Sequence, residues 1–171
     1  MNTELPARQP NNRRTDPASA GDEAARRGPL PAKVLEGIRL FNAREFFEQH
    51  EALEEAWLAE PGPVRDLYRG ILQIGVGFYH LERQNFRGAR NLLSYGMDRL
   101  EPFEPACRGV DVRGLRAAAL RCRTDLERLG RERITEFDRS LIPRVRLDES
   151  VQVAPGQGGS QTSAASANPK G

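Results

Sequence analysis

VRDLYRGILQIGVGFYHLERQ, residues 64–84, decides the fold class. Leu67, Ile71, Ile74, Phe78 and Leu81 recur three and four apart, as does an adjoining set of Tyr68, Leu72, Val76 and Tyr79. A helix with these two stripes is apolar over more than half its circumference, which only a central position in a helical bundle satisfies. The remaining strip reads Asp66, Arg69, Gln73, Gly77, His80, Gln84, and Gly70 and Gly77 leave room for a neighbouring backbone or a ligand.

Four further helices fit around this one. The first follows Pro31, with Val34, Ile38 and Phe41 at helical spacing; the second spans 44–59 and stops at Pro61-Gly62-Pro63. The next starts near Asn85 and ends before Pro102, and the last runs from Asp111 to Leu129, capped by Asp111 and closed by Gly130. Ile134, Phe137 and Leu141-Ile142 form a short helix or strap. Short connections make consecutive helices antiparallel neighbours, so the expectation is all-α: a single bundle of about five antiparallel helices over residues 30–147. Glu45-Phe46 and Asn85-Phe86 both open the second helix of a hairpin, a faint repeat that points to shared helix-pair geometry more than to a solenoid.

Residues 1–29 and 148–171 are Pro-, Gly-, Ser- and Ala-rich and too poor in large apolar side chains to offset the entropy of ordering, so both are expected to be disordered tails. No apolar run follows Met1, and none reaches membrane-spanning length; a cytoplasmic protein is expected, with no signal peptide and no membrane partner. Of the 26 basic residues against 24 acidic ones, nearly all are arginine, and those between Val112 and Leu129 scatter around the apolar stripe without aromatics between them. No nucleic-acid partner is expected from that pattern. Cys107 and Cys122 lack zinc-type spacing and read as free thiols. A homo-oligomer is compatible with the sequence.

The chemistry-bearing residues lie on the second and third helices. On a wheel of the second, Phe46, Leu53 and Trp57 mark one edge of an apolar arc and Phe47 and Leu58 the other. His50 and Glu54 fall between these edges and are expected to point into the core, with Glu51 at the rim. The pair at i and i+4 shares one helix face, and His50-Glu51-Ala52-Leu53-Glu54 looks like H-E-x-x-H with Glu in place of the second His. With His80 as a third ligand, the set becomes the two histidines and one carboxylate that hold a divalent zinc, iron or manganese ion, and Glu51 would take a proton from its water. The other reading is a polar network of His50, Glu54, Gln73 and His80 that fixes helix register. Trp57 is core packing first, and Asn42 and Asn85 are helix caps. Arg69 either binds an anionic ligand beside Gln73 or pairs with Asp66.

Phe41-Asn42, Phe46-Phe47-Glu48, His50-Glu51, Leu53-Glu54, Trp57, Gly70-Ile71-Leu72-Gln73, Tyr79-His80, Asn85 and Gly88-Ala89 together resemble the bacterial family known as domain of unknown function 309. The resemblance covers residues 34–100 and implies a small helical bundle. Members are sometimes labelled predicted metal-dependent hydrolases, so it also implies a metal at His50, Glu54 and His80. The matched positions include Glu51, Trp57 and Gln73. Two departures are Ala43, where the family has Gly, and Gly75, near which it has a bulkier apolar residue. Two functions therefore stand open: a metal-dependent hydrolase, and a non-enzymatic helical interaction or scaffold module.

Overall fold

The computed structural model describes residues 18–149 and 151, with side chains from Glu23 onward. The five expected helices are all present: α2 (Ala32–Asn42), α3 (Phe46–Ala59), α4 (Arg65–Glu82), α5 (Phe86–Leu100) and α6 (Val112–Leu129). Their ends follow the local chemistry. Asn85 Oδ1 accepts from the Gly88 amide at 3.0 Å and Asp111 Oδ1 from the Gly114 amide at 2.9 Å, so each caps its helix. Gly130 ends α6 at φ 73°, where a Cβ would be strained. Among the described residues there is no strand, only isolated bridges joining Val110 to Cys107 and Leu147. No described helix is long and apolar enough to cross a membrane.

From α2 to α6, each helix packs on the next in sequence. The faint repeat is real geometry. Arg44 and Gln84 both adopt left-handed backbone, φ 64° and 58°, and the amides that follow reach back to Leu40 O at 2.9 Å and His80 O at 2.8 Å. Gly37 lies against Leu53 and Gly77 against Leu93, the same contact in each hairpin. Ala43 sits at φ −83°, a right-handed position where its Cβ costs nothing.

Phe41, Phe46 and Phe78 bind α2, α3 and α4 at the centre, with ring centroids 5.5, 5.7 and 6.1 Å apart. Such edge-on and tilted aromatic pairs add to the burial of their area. The segment after α6 is the expected strap: short 3₁₀ turns at Ile134–Glu136 and Arg139–Leu141, with Ile134, Phe137, Ile142 and Val145 buried. Asn42 is not a cap. Its side chain makes two bonds to the Val145 backbone, 2.7 and 3.0 Å, and fastens the strap to α2.

The N-terminal boundary differs from expectation. Part of the segment read as a tail, Ala18–Arg27, is a helix, α1. It contributes few large apolar side chains and is held by polar ties from far along the chain. The Arg108 amide and Nε bond to Arg26 O at 2.6 Å and Ala25 O at 2.8 Å, and the Arg26 guanidinium lies 5.7 Å from the Phe103 ring. Arg108 also donates to Glu60 and to the Tyr68 hydroxyl, joining α1 to the α3–α4 turn. At the other end the Asp148 amide bonds to Gly109 O at 2.7 Å. Residues 1–17, 150 and 152–171 of the expected tails lie outside the described residues.

Both cysteines are buried and unpaired. Burial raises the Cys107 thiol above its ordinary pKa and pushes Cys122 up to about 12. A thiolate is needed for reaction, so both should stay silent toward an aromatic disulfide reagent at pH 8 until denaturant is added. Stoichiometric labelling of the native protein would contradict this packing.

Candidate functional site

The inward face of α3 consists of Phe46, Gln49, Ala52, Leu53 and Ala56. Phe47 and Leu58, expected to edge the buried arc, are 54% and 65% exposed. His50 and Glu54 therefore do not point into the core: His50 is half-buried, and Glu54 and Glu51 are exposed. The helix is turned because small residues let its neighbours approach. A Cβ on Gly37 of α2 would lie 2.5 Å from Leu53, and one on Gly75 of α4 only 2.2 Å from Gln49 Oε1. A wheel weighted by large apolar side chains cannot register faces built from alanine and glycine.

Gln49 is the residue that sequence reasoning missed. It is fully buried, and among the described residues neither its Oε1 nor its Nε2 has a hydrogen-bond partner. Gly75, where a bulkier residue was expected, makes room for it. The signal was available in the three- and four-residue spacing of Phe46, Gln49, Leu53 and Ala56.

On α4, Arg69, Gln73, Val76 and His80 are half-buried along one strip. They turn to different neighbours. Gln73 Oε1 accepts from Arg99 Nε of α5 at 3.2 Å, and Asp66 also pairs with Arg99. His80 faces the same way: Asn85 Nδ2 donates to its Nδ1 at 3.1 Å, and a Cβ on Gly88 would lie 2.7 Å from its ring. Tyr79, one residue earlier, faces α3 and stacks on Phe47 at 6.0 Å. Arg69 does not pair with Asp66. Its guanidinium lies 4.8 Å from the Trp57 ring, joined by that of Arg65 at 5.1 Å. Trp57 is thus half-buried: it packs against the core, as expected, and its ring also carries two cations.

The structure accordingly joins Trp57 to Arg69, Gln73 to Arg99 and Asp66, and His80 to Asn85. The expected polar network of His50, Glu54, Gln73 and His80 is replaced by these separate contacts. His50 makes no hydrogen bond or ion pair among the described residues. Nor do the described residues contain any group of three or more His, Cys, Asp or Glu side chains arranged to hold a metal ion. His50, Glu54 and His80 are not gathered into such a group among the described residues.

Two surface features remain. Beside Arg99 lies a cleft of about 600 Å³ whose walls include Arg26, Gln73, Tyr95, Asp98 and Phe103. On the outer face of α3 and α4, Phe47 and Leu58 stand exposed beside half-buried Trp57 and Tyr79. Arg65 and Arg69 stack on Trp57 at one end, and Arg83 lies 5.4 Å from the Tyr79 ring at the other. None of these three arginines, and neither Glu51 nor Glu54, has an ion-pair partner among the described residues.

Residues 34–92, α2 to the start of α5 and about a third of the chain, match the family model described as Domain of unknown function (DUF309). The chain is also similar to a Bacillus subtilis (strain 168) protein named "Uncharacterized protein YpuF", 44% identical over 66 residues. That match covers 37% of this chain and 38% of the relative, so the chain spans well under half the length of the curated relative. The family segment holds His50, Glu51, Glu54, Trp57, Gln73 and His80; Arg99 and most of the cleft lie beyond it.

Proposed function

We propose that this chain is a non-enzymatic helical interaction module whose docking surface is the outer face of α3 and α4. One observation carries the reading: Phe47 and Leu58 are more than half exposed on the same face as Trp57 and Tyr79, bordered by charges that have no partner within the described chain. Single exposed apolar residues are ordinary, but several aromatic and apolar side chains on one face, interspersed with unpaired charges, are the make-up of an interface. Arginines held over aromatic rings keep outward N–H donors available for a partner's carboxylates. A hydrolase would instead need His50, Glu54 and His80 to converge with Glu51 beside them, and His80 is engaged with Asn85 on the α5 side.

A photo-crosslinking residue placed at Leu58 in living cells tests this reading. Leu120 of α6, 53% exposed, is the control position. Covalent protein adducts are expected at position 58 and not at position 120; no adduct at 58, or equal yields at both, would overturn the module. The double variant Phe47→Ser/Leu58→Ser should lose the adduct partner while keeping its melting temperature within a few degrees of wild type, since exposed positions cost about 0.5 kcal/mol or less.

A further inference from the structure

Resting on that docking face, we propose that its occupant is a second copy of this chain, related by a two-fold axis that runs along the α3–α4 seam. Some exposed arginines pair with carboxylates on their own helix or turn, as Arg39 does with Glu36 and Arg133 with Glu136, while others, Arg44, Arg87 and Arg121 among them, have no ion-pair partner among the described residues. What sets the α3–α4 face apart is that unpaired charges of opposite sign stand on its two helices. Glu51 and Glu54 stand on α3, Arg65 and Arg69 on α4 and Arg83 just past its end, all without an ion-pair partner among the described residues. Trp57 at one end of this face, and Tyr79 against Phe47 at the other, hold these arginines over their rings.

A face that carries one acidic and one basic ridge, side by side on antiparallel helices, is complementary to itself. Rotation about the seam lays α3 on α4 of the other copy, so that the acidic ridge meets the basic ridge twice. That is the isologous contact which two-fold symmetry requires. A partner of a single charge sign would satisfy one ridge and oppose the other. The net charge of only +2 per chain sets little repulsion against pairing.

The size of the face sets the strength. At 1.5 Å rise per residue and ~10 Å per helix diameter, α3 with its strip of α4 offers ~400 Å² per copy. Roughly 800 Å² in total is below the ~1,200 Å² of a standard stable interface. The dimer is therefore weak, concentration-dependent and loosened by salt, because exposed charge pairs are screened within ~10 Å at 0.1 M.

Sedimentation velocity of the full chain from about 5 to 500 µM tests the proposal across the micromolar dissociation constants expected for so small an interface. Wild type should pass from monomer to dimer over this range, at lower concentration in low salt. Glu51→Arg/Glu54→Arg and Arg65→Glu/Arg69→Glu should each stay monomeric, and an equimolar mixture of the two should form a heterodimer. All four substituted positions are exposed or half-buried; if a reversal fails to fold, Leu58→Arg takes its place and should also be monomeric. A wild type that is monomeric throughout, reversals that dimerise like wild type, or a mixture that stays monomeric would each overturn self-pairing. The Leu58 crosslink separates this from the underlying reading. An adduct of twice the chain mass supports the dimer, an adduct with a different protein overturns self-pairing but leaves the docking face standing, and no adduct overturns both.

Discussion

Gly96→Ala should lower the melting temperature by roughly 10 °C, although alanine is the better helix former by about 1 kcal/mol. A Cβ at this position would lie 2.6 Å from Ile74 Cγ1, 2.9 Å from Gly70 O and 3.0 Å from Ile74 N. Two of those three atoms are backbone, and Ile74 is fully buried, so no side-chain rotation relieves the overlap. Helix α5 must move off α4. Overpacking of this kind costs about 1–3 kcal/mol beyond the propensity gain, with displacement of the buried Leu93 and Leu100 added where the helices part. Gly28→Ala is the contrast: its nearest neighbours would be 3.5 Å away, ordinary contact, and its melting temperature should stay within a few degrees of wild type. Thermal unfolding followed by far-ultraviolet circular dichroism compares the two. An unchanged or raised midpoint for Gly96→Ala would mean that α4 and α5 do not meet through their glycines.

The same pair of helices shows what the sequence discloses and what it hides. Gly70 and Gly77 were legible as points of close approach, and α5 fills both: Leu100 stands at Gly70 and Leu93 at Gly77. The five long helices were legible because their signals are local, in the Pro31 start, the Asn85 and Asp111 caps and the Gly130 stop. Helix α1 was hidden because Arg108, some 80 residues away, supplies the bonds that hold it. The rotation of α3 was hidden for a related reason. Which of two candidate arcs is buried depends on how near α2 and α4 come, and Gly37 and Gly75 decide that from other helices. Once α3 is turned by that packing, His50 and Glu54 move from an expected interior site to the surface, and Trp57 becomes a shelf for arginines. Residue types at the site were readable; their partners were not, because Asp66, Arg69, Gln73 and His80 divide between two neighbouring helices by angles too small for a wheel to resolve.

Gln49 carries the second large effect. Its amide is enclosed with no partner for either polar atom among the described residues, so Gln49→Met, similar in volume and without those atoms, should stabilise the fold by about 1–2 kcal/mol. Gln49→Glu should do the opposite, at about 3–5 kcal/mol near neutral pH, since a buried carboxylate would replace a buried amide with no cation beside it. The pH dependence has a definite sign. Burial raises the pKa of the introduced carboxyl above its unfolded value of about 4.3, so between those two values the folded state binds the extra proton. The loss is therefore small below pH ~4 and grows as the pH rises through the folded-state pKa. Urea denaturation of wild type and both variants at acid and neutral pH reads out all three expectations. If Gln49→Glu were as stable as wild type at neutral pH, a donor would have to reach that side chain from outside the described packing, and the interior of α3 would then be the ligand site that its surface residues first suggested.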